Sequence, residues 1–292
     1  VRLCLAFLAF AGSLYGPASV VFELSNPAIR ESSGLAASRR NPGIFWTHND
    51  SGNSPHIYAF DRSGRDRGAF RITGADNIDW EDIALGPGPE KDTSYLYIGE
   101  IGGNKRIAGD VIVYRVKEPS PRNGGEYETE PAAAIRLRYP DRPHDAEALL
   151  VHPHSGDLYI ITKAVGSDTE TWVFKATAPH TTETRTLQKV ARLRIPGESR
   201  FHLILGLVTG GAISPDGRRV AICDYYRAYE AVLPPGRSFD QIWTQPWTLI
   251  ELAKRRQGES ICYRHDGLAL LATSEGVPCP VQEVVHSRKV GP

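Results

Sequence analysis

Short apolar runs, each bounded by Gly, Asn, Asp or Pro, recur from one end of the chain to the other. That pattern predicts strands joined by tight turns rather than helices. Ile44-Phe45-Trp46-Thr47 follows the turn Arg39-Arg40-Asn41-Pro42-Gly43, and Leu158-Tyr159-Ile160-Ile161 follows His154-Ser155-Gly156-Asp157. Arg219-Val220-Ala221-Ile222 and Leu268-Ala269-Leu270-Leu271 stand in the same relation to Pro215-Asp216-Gly217 and His265-Asp266-Gly267. Gly and Asp supply the turn dihedrals, and β-branched and aromatic residues the strands, so these segments read as hairpins. More strands are expected after the first two hairpins, at 56–60, 69–72, 111–116 and 134–139.

The strand before each hairpin carries a repeated triplet of a polar residue, a mostly small residue, and Leu or Ile. The five copies are Ser33-Gly34-Leu35, Glu81-Asp82-Ile83, Glu147-Ala148-Leu149, Gly211-Ala212-Ile213 and Glu259-Ser260-Ile261. Their apolar members are 48, 66, 64 and 48 residues apart. Counting from Ile261 through the C-terminus and on from Ser19 to Leu35 gives 48 again. Repeats of that length, each unable to bury its own faces, predict an all-β, single β-propeller of five four-stranded blades. Val20 to Leu24 is expected to complete the last blade and so remove the open sheet edge. Six blades are the alternative, because the two long units have room for extra strands. Glu118 to Pro131 reads as an outer loop within the second unit.

Composition narrows the setting. The 292 residues balance 34 Lys+Arg against 34 Asp+Glu, which removes the electrostatic reason to expect a nucleic-acid or acidic-membrane partner. There is no Met, even at position 1, which points to a non-ATG start written as Val or to a clipped reading frame. Val1 to Ala18 has the order of a secretory signal, with Arg2, an apolar stretch from Leu3 to Tyr15, and small residues at Gly16 and Ala18. The stretch is short for a membrane span, so the expectation is a signal over 1–18, a propeller domain over 19–292, and a secreted or periplasmic monomer. Of the 4 Cys, Cys223, Cys262 and Cys279 follow the expected cut; an odd number allows at most one disulfide.

In a propeller the first strand of each blade lines the central channel. Glu81, Glu147 and Glu259 occupy one triplet position, and Asp50, Glu100, Lys163, Asp224 and Glu275 end the second strands. Carboxylates gathered around one axis repel each other, and burial adds to the cost. Such a mouth must protonate, bind a cation or recruit a base; a hard cation with oxygen ligands fits best, Ca²⁺ first and Mg²⁺ or Mn²⁺ after it. Asp50, Glu81, Glu147 and Glu259 are the candidate ligands, with Asn49, Asp82, Glu100, Asn104 and Asp224 as further channel residues. Asp82 stands out, since a small residue is expected where strands crowd the axis. His48 and His144 are placed to act as acid or base, and Trp80, between Asp79 and Glu81, is an aromatic near the mouth. Serine-hydrolase elbows, His-Glu-x-x-His and Gly-rich phosphate loops are absent from the sequence.

Several longer motifs add to this reading: Ser33-Gly34-Leu35-Ala36-Ala37-Ser38, His48-Asn49-Asp50-Ser51-Gly52, Asp79-Trp80-Glu81-Asp82-Ile83-Ala84, Glu147-Ala148-Leu149, Ile161-Thr162-Lys163 and Thr273-Ser274-Glu275-Gly276. Together they resemble a group of secreted bacterial β-propeller proteins. More remotely the chain is similar to esterase-like phytase and lactonase-type propellers, which implies carboxylates and a divalent cation at the channel mouth. Glu100 and Gly103 depart from that pattern, which has Asp at both places. Cys223-Asp224-Tyr225 departs from its Arg-Thr-Tyr. Two functions follow as expectations. One is a cation-dependent hydrolase of an ester, lactone or phosphoester, with Glu275 as general base, Lys163 steadying the oxyanion and His48 assisting. The other is a non-catalytic binding or scaffold propeller with a structural Ca²⁺, recognising a small-molecule or carbohydrate ligand.

Overall fold

A computed structural model describes residues 14–103, 110–164, 170–195 and 207–287. Five antiparallel sheets follow one another around a central axis. Their inner strands are Ser32–Ala37, Trp80–Pro87, Ala146–Val151, Gly210–Ile213 and Gly258–Tyr263. Each inner strand pairs with the next strand in sequence, and the sheet grows outward to a fourth strand. Ser19–Glu23 pairs antiparallel with Pro280–Val285 and becomes the outer strand of blade five, as the sequence predicts. The hairpin turns also fall where expected, with Gly43, Gly156, Gly217 and Gly267 all at positive φ.

Five apolar clusters hold the ring, one in each gap between neighbouring blades. Trp46, Ile57, Ile83 and Ile98 fill the gap between blades one and two. Tyr97, Val113, Leu149 and Phe174 fill the second gap, and Tyr159, Ile161, Ile222 and Trp243 the third. Ala228, Ile261 and Leu270 lie in the fourth, while Phe45, Phe60, Leu271 and Val281 join blade five back to blade one. Both faces of every sheet are therefore buried, which is why the strands read as nearly continuous apolar runs. Cys223, Cys262 and Cys279 are free thiols within this packing.

The stretch expected to be an outer loop of unit two does more than that. Glu126–Glu128 pairs parallel with Asp66–Arg71 and extends blade one, with Tyr127 stacked on Phe70 at 5.4 Å. Arg185–Thr186 extends blade two in the same way. Both excursions cover outer edges that would otherwise stay unpaired. They also account for the extra length of the 64- and 66-residue units without a sixth blade.

Most of the leader stretch, residues 1–13, lies outside the described residues. Leu14 and Tyr15 pack against blade five. The Tyr15 hydroxyl donates to the buried Glu230 carboxylate at 2.6 Å, and Tyr263 donates to the same oxygen at 2.7 Å. A cut after Ala18 would remove the first of these bonds and leave the second. Among the described residues no helix is long and apolar enough to cross a membrane.

Polar groups tie the blades together at the axis. The Asp82 carboxylate accepts from Ile83 N at 2.8 Å and from Leu149 N at 3.0 Å, with Gly211 N farther off at 3.4 Å. It therefore links blade two to blades three and four from a fully buried position. This is why an acid, rather than a small residue, stands there: the inner edges of the inner strands offer N–H groups that need acceptors. Burial holds the Asp82 carboxyl well above the usual carboxylate range, against the pull of those three N–H donors. Ser33 Oγ donates to Glu81 O at 2.8 Å, and a hydroxyl chain through Thr47, Ser32, Thr273 and Ser260 joins blades one and five. Each buried donor left without a partner costs about 1–3 kcal/mol. We therefore expect Asp82→Ala to lower unfolding free energy by about 3 kcal/mol in denaturant titration, and Asp82→Asn, which keeps one acceptor, to lower it less. An Asp82→Ala protein as stable as the parent would contradict this role.

Candidate metal centre

Four of the five inner strands begin with a β-bulge. The register shifts between Ser32 and Gly34, Trp80 and Asp82, Ala146 and Ala148, and Gly258 and Ser260. The unpaired residue in each is Ser33, Glu81, Glu147 or Glu259, the polar member of the repeated triplet. A bulge re-aims the extra side chain, and these four lie at the same end of their strands. Gly210–Ile213 of blade four pairs without a shift and contributes no side-chain ligand there.

Two carboxylate groups form at this mouth. Asp50, Asp79 and Glu81 offer oxygens all within 4.8 Å of one another, and so do Glu81, Asp145 and Glu147. Glu81 belongs to both. Asp79, Glu81 and Glu147 are buried, while Asp50 and Asp145 are partly open. The backbone of Gly102 closes one side: a Cβ there would overlap Glu81 Oε1 and Asp79 Oδ2. Gly103 approaches Asp145 in the same way, a Cβ coming to 3.0 Å from its Oδ1.

Asp79 and Asp145 are the residues the triplet did not reveal. Each stands two places before a bulged Glu, as Asp79-Trp80-Glu81 and Asp145-Ala146-Glu147. Both acids come just before the first strand residues, Trp80 and Ala146, and the longer pattern of acid, any residue, then bulged Glu marks each.

Lys163 brings a positive charge to this mouth. Lys163 Nζ donates to Glu147 Oε1 at 2.8 Å and lies 5.3 Å from the centre of the Tyr225 ring. Burial lowers the Lys163 ammonium, but Glu147 and Tyr225 outweigh it and hold the group above its ordinary value. Glu259 sits nearby and outside both carboxylate groups. Gln257 Nε2 donates to Glu259 Oε1 and to Glu275 Oε1, each at 2.8 Å, and so ties these two acids together. Glu259 Oε2 is buried without a hydrogen bond.

The remaining sequence candidates take structural positions. Asn49 accepts from Arg30 N and Glu31 N and donates to Ala28 O, pinning the loop before blade one. Glu100 accepts from Ile78 N at 3.0 Å, behind the Asp79 backbone. Asp224 accepts from Tyr226 N, Arg227 N and the Tyr229 hydroxyl, closing a turn of blade four. His48 is fully buried, edge-on to Trp80 at 5.6 Å, and burial pushes it down to about 4, so it stays neutral. His144 bonds Asp141 at 2.9 Å and packs edge-on to Tyr139. Asn104 lies outside the described residues.

No family model matches this sequence, and a search of curated proteins returns no match. Two similar solved structures cover 92% of the chain. One is the crystal structure of RRP9 WD40 repeats, with a TM-score of 0.47, 11% identity and 97% of that chain covered. The other is the structure of U3-55K, with a TM-score of 0.46, 10% identity and 98% covered. The propeller assignment made above rests on the strand pairing of this chain.

Electrostatics at the mouth follow from crowding. Burial raises Glu81 well above the usual carboxylate range, and Glu147, Asp50, Asp79 and Asp145 add to the effect. Burial also raises Glu147 to about 7 despite Lys163, and Glu259 to about 8 with Glu147 repelling it. Asp50 and Glu275 move up for the same reason. The folded chain thus holds protons that the unfolded chain has already lost above the ordinary carboxylate range. Through these acids stability falls as pH rises from about 4.5 towards 8, and buried His48, neutral in the folded chain, opposes this only below about 6.5. In chelator, we expect the melting temperature to drop across that window, and millimolar Ca²⁺ to raise it more at pH 8 than at pH 5. A melting temperature that climbs with pH in chelator would contradict the assignment.

Proposed function

We propose that this mouth binds a hard divalent cation, Ca²⁺ in preference to Mg²⁺ or Mn²⁺, and that the protein is an exported, cation-dependent hydrolase of an ester, lactone or phosphoester. The observation that carries the cation is the sharing of Glu81 between two groups of three carboxylates. Every candidate ligand is a carboxylate, with no thiol or imidazole among them, and that donor set suits hard ions. Export rests on the leader-like order of residues 1–18.

A bound cation would supply charge stabilisation and water activation. Asp50, Asp79, Glu81, Asp145 and Glu147 would hold it. Lys163 keeps its proton and stands next to Glu147, where it can hydrogen-bond an oxygen that gains negative charge. Glu275 is partly exposed and oriented by Gln257, which suits it to accept a proton from water. Glu259, raised to about 8, is protonated at neutral pH and can return a proton to a leaving group.

One observation favours a second reading. Lys163 is already engaged by Glu147, and three of the carboxylates are buried, as a structural cation site in a binding propeller would require. Elemental analysis of purified protein before and after chelator, followed by an ester, lactone and phosphoester panel, separates the two. We expect about one equivalent of divalent metal, lost in Glu81→Gln, and hydrolysis that chelator abolishes. Metal without any hydrolysis selects the binding propeller. No metal, with a melting temperature indifferent to Ca²⁺, removes the cation site.

A further inference from the structure

The channel has a second mouth, at the C-terminal ends of the inner strands, and its chemistry is the reverse of the first. A cavity of about 230 Å³ opens there. Small side chains at Ala36, Ala84 and Ala212 leave the space, and Leu35, Ile83 and Leu150 form its apolar walls. Buried Asp82, bonded to the backbones of Ile83, Leu149 and Gly211, separates it from the carboxylate mouth.

Among the described residues lining this cavity none is an Asp or a Glu; Arg39, His154 and His265 are the basic groups, while Cys262 and Tyr263 are held neutral by burial. His154 and His265 are exposed on turns, while Arg39 is half-buried. Arg39 Nη1 donates to Pro153 O at 3.2 Å, and no carboxylate forms an ion pair with it among the described residues. Loss of water lowers its pKa, and the more distant Glu118 only partly offsets this. Glu118 accepts a hydrogen bond from Trp46 Nε1 at 3.0 Å. A half-buried guanidinium with no direct ion pair, placed at the lip of an apolar cavity, is complementary to a ligand with a negative head and an apolar body.

We propose that this mouth is a binding site for a small amphipathic carboxylate, with its apolar tail among Leu35, Ile83, Leu150 and Ala212 and its carboxylate on Arg39. At about 30 Å³ per water-sized group, the cavity takes about eight non-hydrogen atoms, which fits an eight-carbon chain whose carboxylate oxygens lie at the Arg39 lip. The site lies across the Asp82 barrier from the carboxylate mouth, so it stands or falls independently of the cation.

Isothermal titration of the full chain, with chelator present, against sodium octanoate, octanol and octylammonium tests it. Octanoate should bind one to one, octanol more weakly, and octylammonium not at all. Arg39→Gln should weaken octanoate binding about tenfold while leaving octanol unchanged, since a charge-assisted hydrogen bond is lost. Ala212→Leu should abolish both by filling the cavity, and Ala84→Leu provides the same test on another strand. Octanol binding as tightly as octanoate, octylammonium binding better than either, or no octanoate uptake at millimolar concentration would each overturn the proposal. The three-ligand comparison on the unaltered protein decides the matter even if a variant fails to fold.

Discussion

Mutual repulsion among carboxylates governs the first mouth of the channel, and much of the surrounding structure answers to it. Five acids from three blades meet there, and Lys163 forms an ion pair with one of them, Glu147. Chain segments that bring such groups together out of water must be held by something stronger than the groups themselves. Here the holding is done by five apolar interfaces that close a ring, so that no blade can relax outward without opening its neighbours. Proton uptake, an ion pair and a cation are the three ways to relieve what repulsion remains, and the mouth is arranged for all three.

The bulge is the local device that produces this geometry. A strand alternates its side chains between two faces, both of which are buried between blades in a propeller. One extra residue at the start of the inner strand turns a side chain out of that alternation and towards the mouth. Beneath the bulges, Asp82 satisfies backbone donors at the axis, and beyond it the channel turns apolar with a basic lip. Polarity thus changes along the channel in three steps, and each step is set by a different position of the same repeated strand.

Much of this was legible in the sequence, because the repeated triplet is both the structural repeat and the chemical one. The recurrence at blade length gave five blades and the closing N-terminal strand, and it singled out Glu81, Glu147 and Glu259. Asp79 and Asp145 are less legible because they lie outside the repeated triplet, just before their strands begin, and only the folded mouth brings them beside the bulged Glu81 and Glu147. Glu259 separated from the carboxylate groups because Gln257 draws it towards Glu275, a contact between side chains that spacing does not encode. Glu100 and Asp224 looked equivalent to Asp50 by position, yet local backbone donors claim them. The apolar mouth was not foreseen either. His154 and His265 occupy turns that look ordinary in sequence, and only the closure of the ring brings Arg39 of blade one to the same opening.

The central claim, a cation held through Glu81, is tested most directly by anomalous diffraction from crystals grown in excess Ca²⁺, with Mn²⁺ as a stronger scatterer. The account predicts a peak bonded to Glu81 and to oxygens of Asp50 and Asp79 or of Asp145 and Glu147, at about 2.3–2.6 Å for Ca²⁺. Carboxyls hydrogen-bonded to one another around a mouth with no peak, under the same excess of metal, would contradict it.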